Sequence, residues 1–144
     1  MTTAQLRTPK WFWIASVFLL IWNLMGILNF FQHLTITEEV LQAMPENQRV
    51  LYSDFPLWTK FAFALAVFGG TAGSLALLLK KKIAHPLFIA SLVGVIAQMS
   101  HSISIAQEMG DDGNWIIIMT VLLIVIGTLA IWISKYSSQK QWLK

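Results

Sequence analysis

Four long apolar blocks, with almost every charge falling between them, constrain this 144-residue chain more than any other feature. The blocks cover residues 11–31, 57–79, 86–105 and 115–133. About 20 consecutive apolar residues wound as a helix cross a hydrocarbon core of roughly 30 Å. Inside lipid, only helices and closed barrels satisfy every backbone N–H and C=O group. Blocks this long and continuous do not alternate as barrel strands do, so they read as helices. The expectation is an all-α fold, a four-transmembrane-helix bundle in which residues 1–144 form a single integral membrane domain. Arg7 and Lys10 precede the first block, as basic residues precede a signal peptide core. This core is too long for that reading and no small-residue cleavage site follows it, so it is expected to stay as a helix.

The connections differ in length. Lys80-Lys81-Lys82-Ile83-Ala84-His85 is short enough to fold the second and third helices into a tight hairpin, with Pro86 in the first turn of the third. Met109 to Asn114 reads as a second turn, with Asn114 as the N-cap of the fourth helix. The longest connection, 33–56, is expected to hold two short surface helices. Thr35 and Glu38 have capping-box spacing. Val40, Leu41 and Met44 then form an apolar face, Pro45 interrupts it, and Val50 and Leu51 continue it. Such a segment is either an ordered cap or a lid over a pocket.

Charge sets the orientation. Arg7, Lys10, Lys80, Lys81, Lys82, Lys135, Lys140 and Lys144 fall on one side of the four blocks, and only Arg49 and Lys60 on the other. Cytoplasmic loops carry the Lys/Arg excess, so both termini and the lysine loop are expected in the cytoplasm. All seven acidic residues then lie outside. Trp11, Trp13 and Trp132 suit the inner border as interfacial anchors, and Trp58 and Trp115 the outer one. The formal charge of +3 is modest and concentrated at one membrane face, which gives nucleic acid no footprint. The chain contains no cysteine, which excludes disulfides, thiol catalysis and thiolate metal sites.

Two polar patterns interrupt the apolar blocks. Ala62, Ala66, Gly70 and Ser74 recur at four-residue spacing on the second helix, with Gly69 and Gly73 beside them. Small residues at this spacing let helix backbones approach closely in lipid, within the chain or between two copies of it. A homodimer through the second helix is the partner expectation beyond the lipid bilayer itself. The other pattern is a polar seam in the outer half, made of Trp22, Asn23, Asn29, Gln32 and His33 on the first helix and Gln98 and His101 on the third. At about 1.5 Å per residue, Asn23 and Gln98 lie at similar depth. Polar side chains inside a membrane are costly and usually face the interior. Asn23 and Gln98 then either bond each other or nearby carbonyls as structural glue, or line a hydrated pocket for a small polar solute. Amides and Trp suit neutral hydroxylated solutes, because they donate and accept without charge. His33 and His101 would be the ligands of a haem or metal site, with Glu108 nearby, but they differ in depth and no HxxxH spacing occurs. No cofactor is expected.

Several stretches carry a resemblance: Trp22-Asn23-Leu24-Met25-Gly26, Phe55-Pro56-Leu57-Trp58, Phe68-Gly69-Gly70 with Gly73-Ser74, and Pro86-Leu87-Phe88 with Ser91-Leu92 and Gln98. Together they resemble a group of small four-helix bacterial membrane proteins of unestablished function, some labelled sugar transporters. More loosely they are similar to DoxX-type four-helix proteins. The resemblance implies a bacterial inner-membrane location and a link to a small neutral solute, and it carries no catalytic residues. The functional expectations are therefore binding or transport of a small neutral, sugar-like solute through Trp22, Asn23, Asn29, His33, Gln98 and His101, then an accessory or assembly role through helix contacts, then a haem or metal redox role. No nucleophile–base pair or metal-ligand cluster points to an enzyme.

Overall fold

A computed structural model of the chain describes residues 7–53 and 56–144, without the side chains of Asn47, Val50, Leu51 and Ser53. The apolar continuation expected at Val50 and Leu51, the acid Asp54 and the Phe55 of the resemblance therefore lie outside what is described. The described chain is helical throughout: α1 (Lys10–Thr35), α2 (Glu38–Ala43), α3 (Glu46–Ser53), α4 (Leu57–Leu78), α5 (Ala84–Met109) and α6 (Asn114–Gln139), with a 3₁₀ turn at Gly110–Gly113. Three stretches are long and apolar enough to cross a membrane: Lys10–Thr35, Leu57–Leu78 and the helical run Ala84–Gln139. The last is 56 residues long, and the 3₁₀ turn divides it into α5 and α6, which pack against each other.

The boundaries correct two expected caps. Thr35 belongs to the last turn of α1, where its hydroxyl donates to the Phe31 carbonyl at 2.8 Å. The cap of α2 is Thr37, whose hydroxyl accepts from the Val40 N–H at 3.4 Å. Asn114 is the first residue of α6 and caps nothing; Gly113 precedes it. A Cβ at Gly113 would overlap the Ala106 carbonyl, so a glycine is what lets α6 start this close to the end of α5. Gly110, at φ 65°, makes the left-handed turn between them. In the long connection, Pro45 ends one helix and starts the next, its carbonyl accepting from the N–H groups of Gln48 and Arg49 at 3.0 Å each.

α4 packs along both α1 and α5, and α5 along α6. α1 and α6 flank this series without comparable packing along each other among the described residues. The contacts fix which ends meet. Trp11 at the start of α1 lies 6.0 Å from Tyr136 near the end of α6. Trp142 stacks edge-on against Trp11 and Phe12 at 5.8 and 5.9 Å. Backbone hydrogen bonds Lys82 N–H to Lys144 C=O (2.9 Å) and Lys144 N–H to Lys80 C=O (2.6 Å) tie the α4–α5 loop to the C-terminus. This terminal end holds the packed core of Phe12, Leu19, Leu77, Ala84, Phe88 and Leu143. The opposite end carries α2, α3 and the 3₁₀ turn.

The small residues of α4 work inside the chain. A Cβ at Gly94 of α5 would sit 2.7 Å from the Ala62 carbonyl oxygen and 2.7 Å from the Ala66 nitrogen, so the two backbones are in near contact. The Ser91 hydroxyl exploits this approach and donates to the Ala66 carbonyl at 2.5 Å. Gly69 and Gly73 admit α5, Gly73 beneath the Phe88 ring, while Gly70 admits the Asn23 amide of α1. Dispersion and such interhelical bonds, rather than apolar burial, hold helices together in lipid. The stripe is thus occupied by α1 and α5. A homodimer built on it would have to displace one of them.

Candidate ligand cavity

Close packing fails in one place. A cavity of about 510 Å³ lies between the four long helices, from Leu19, Phe88 and Ala130 at its floor to His33, Gln48 and Tyr52 toward the opposite end. α1 and α6 are held apart by the α4–α5 pair and are drawn together at the terminal end by Trp11, Tyr136 and Trp142.

Of the residues expected to form the polar seam, Trp22, Asn23, Asn29, His33 and Gln98 line this cavity. His101 and Gln32 do not. His101 sits edge-on against Trp58, ring centroids 5.8 Å apart, and so belongs to the contact between the α5 end and the α4 start. His33 stacks flat on Tyr52 of α3 at 4.2 Å and meets Phe63 edge-on at 5.5 Å. The two histidines thus face different aromatic partners.

Asn23 and Gln98, expected at equal depth, have unlike surroundings. The Asn23 amide donates to the Leu19 carbonyl at 2.7 Å and reaches the Ser74 hydroxyl at 3.4 Å. Ser74 in turn donates to the Gly70 carbonyl at 2.7 Å. Asn23 is therefore helix glue between α1 and α4 that also borders the cavity. Gln98 is only 6 % exposed, lines the cavity, and makes no hydrogen bond among the described residues. One turn further along α5, Ser102 is 7 % exposed, lines the same wall, and likewise has no hydrogen bond there. The side-chain atoms that are sealed from solvent without a partner among the described residues are Thr8 Oγ1 and Ser137 Oγ, so the Gln98 amide and the Ser102 hydroxyl are not sealed but open on the cavity, where a ligand or water can bond them.

The sequence left the long connection as a cap or a lid and did not single out which of its residues reach the cavity. Gln48 and Tyr52 of α3 reach the cavity. Arg49 fixes α3 to α2 by donating to the carbonyls of Leu41, Gln42 and Met44 at 3.1, 3.0 and 3.1 Å. These carbonyls lie at the end of α2, where the Leu41 carbonyl also accepts from the Met44 N–H at 3.3 Å, so Arg49 acts as a C-terminal cap. The signal was present in the sequence, a single Arg within reach of the preceding short helix, but only the fold orients it. Met25, Met99 and Met119 complete the lining with flexible apolar side chains. Among the described residues no group of three or more His, Asp or Glu is placed to hold a metal ion.

Comparison of the chain with known protein families, with curated proteins and with solved structures found no match.

Proposed function

We propose that this chain is a multi-pass membrane protein that crosses the bilayer four times, with both termini cytoplasmic, and binds a small neutral molecule in the cavity between its helices. The apolar helical stretches and the lysine excess at the terminal end support the topology. The single observation that carries the binding reading is Gln98, nine-tenths buried as a residue, lining the cavity and making no hydrogen bond among the described residues, with its amide open to the cavity. A ligand hydrogen bond to that amide contributes about 1 kcal/mol. Among the described residues no Asp, Glu, Lys or Arg lines the cavity, which favours a neutral ligand. The reading is of binding. Passage through to the terminal end would require the core around Phe12, Leu77 and Phe88 to part.

The test is retention of a non-protein mass on the chain in native mass spectrometry after mild extraction. Wild-type protein should carry one such mass and Gln98→Met should carry it at about fivefold lower occupancy or less, matching the loss of about one hydrogen bond. Equal retention by both proteins would remove Gln98 from the site and the reading with it.

A further inference from the structure

What can reach the cavity depends on which wall is open. The residues of α4 and α5 that line it are buried or half-buried. The lining residues that are also exposed lie on the flanking elements: Met25 and Asn29 of α1, Trp115 and Met119 of α6, and Gln48 of α3. Met25 is 56 % exposed, Met119 45 % and Trp115 44 %. α1 and α6 do not pack along each other there. The opening therefore runs between α1 and α6, and its edges are mostly apolar. Met25 lies ten residues inside the α1 end, roughly 15 Å along the axis. An apolar-edged opening at that depth on apolar helices faces hydrocarbon, where a water-facing mouth would carry polar edges.

The shape of the space narrows the ligand further. From Leu19 to His33 the lining extends ~21 Å along α1. A volume of about 510 Å³ drawn out over that length makes the space elongated rather than compact, so an extended chain follows its length while a single sugar ring leaves most of it empty. Polarity is graded along it. Leu19, Phe88, Ile126 and Ala130 surround the floor, whereas Gln98, Ser102, Asn29 and Gln48 border the upper part.

We propose that the cavity takes a neutral single-chain lipid with a hydroxylated head group, which enters sideways from the bilayer between α1 and α6. The head bonds Gln98 and Ser102, and the chain lies toward Leu19 and Phe88. This rests on the binding reading above and adds to it the ligand class and the route. A chain that moves from lipid into an apolar slot gains little, because both surroundings are equally apolar. Selection among lipids falls on the head group. A charged head would leave water without a countercharge, while hydroxyls satisfy the two open side chains.

The experiment uses the full chain in phosphatidylcholine nanodiscs, read by native mass spectrometry, with 1-monooleoylglycerol supplied in the bilayer and lysophosphatidylcholine or aqueous glucose as comparison. The expected result is one monooleoylglycerol retained per chain, no comparable retention of lysophosphatidylcholine, and at least fivefold lower occupancy in Gln98→Met. Ser102→Val provides the same readout if Gln98→Met fails to fold. Substituting Met25→Trp together with Met119→Trp, which fills the opening, should slow uptake from the bilayer about tenfold. Glucose retained in a Gln98-dependent way, with no monooleoylglycerol, would overturn the lipid route and leave the cavity reading standing. Binding of neither in a Gln98-dependent way would overturn both. Retention of both lipids alike by wild type and Gln98→Met would mark surface-bound lipid and also overturn the proposal.

Discussion

Replacing Gln98 by Met should make the empty protein more stable. The two side chains are close in size and shape, so the substitution conserves volume and creates neither a cavity nor a clash. What changes is the amide. Gln98 as a residue is 6 % exposed and unbonded among the described residues, with its amide atoms still open to the cavity, so wild-type protein bears part of the cost of withdrawing that amide from water without a protein partner. Mutational data put that cost at about 1–3 kcal/mol. Two effects reduce it here. Water in a cavity of about 510 Å³ can reach the amide, and an unfolded chain within a membrane also finds hydrogen-bond partners. The expected gain is therefore about 1 kcal/mol in ligand-free protein. Titration with a denaturing detergent, followed by helical circular dichroism, measures it. The same substitution should weaken ligand retention, so stability and binding move in opposite directions, as they do where a side chain is kept for function at the expense of the fold. A Gln98→Met protein less stable than wild type by 1 kcal/mol or more would show that Gln98 holds the helices together and would refute the reasoning.

Other outcomes follow from the same geometry. Gly70→Ala should destabilise the protein by about 1–3 kcal/mol, because the added Cβ overlaps the Asn23 amide, and Asn23→Ala in the same chain should recover much of that loss in a double-mutant cycle. Gly94→Ala should cost a similar amount with no such rescue, since its Cβ meets the α4 backbone at Ala62 and Ala66 and no side chain can yield. Arg49→Ala should cost about 1–2 kcal/mol locally by removing three donors from the end of α2 and leaving the Gln42 and Met44 carbonyls open, read as faster amide hydrogen exchange over residues 38–44 with α4 unchanged. The chain has no native cysteine, so Lys81→Cys and Glu108→Cys are clean topology probes. A membrane-impermeant thiol reagent applied to intact cells should label the second and spare the first, and the reverse pattern would invert the proposed orientation.

Much of the architecture was legible because lipid leaves a chain few choices. Long apolar blocks must be helices there, and α1, α5 and α6 each contain their block, with ends running one to six residues further into the polar flanks. α4 ends at Leu78, one residue short of the second block. The two short helices of the long connection, the turn near Gly110 and the close packing of the α4 small residues were likewise written in local composition. The caps were less legible. Thr35 and Thr37 are two residues apart and chemically alike, and which one caps depends on how far α1 runs before it must turn.

The site depended on neighbours. Asn23 and Gln98 share a depth and a residue class, so nothing local distinguishes glue from ligand group. Tertiary packing does. α1 lies along α4, which places Asn23 against Gly70 and Ser74, while Gln98 is on the wall of α5 that faces the space between α1 and α6. His101 left the seam because the end of α5 meets Trp58, and Gln48 and Tyr52 joined it because α3 folds over the cavity. Periodicity and depth are properties of one helix and can be read along the chain. Which faces meet, and which stay apart, depends on the positions of several helices at once. The sequence by itself thus determined the helices and the face on which each polar residue lies, and the tertiary structure alone decided that α1 and α6 stand apart and leave Gln98 without a hydrogen bond among the described residues.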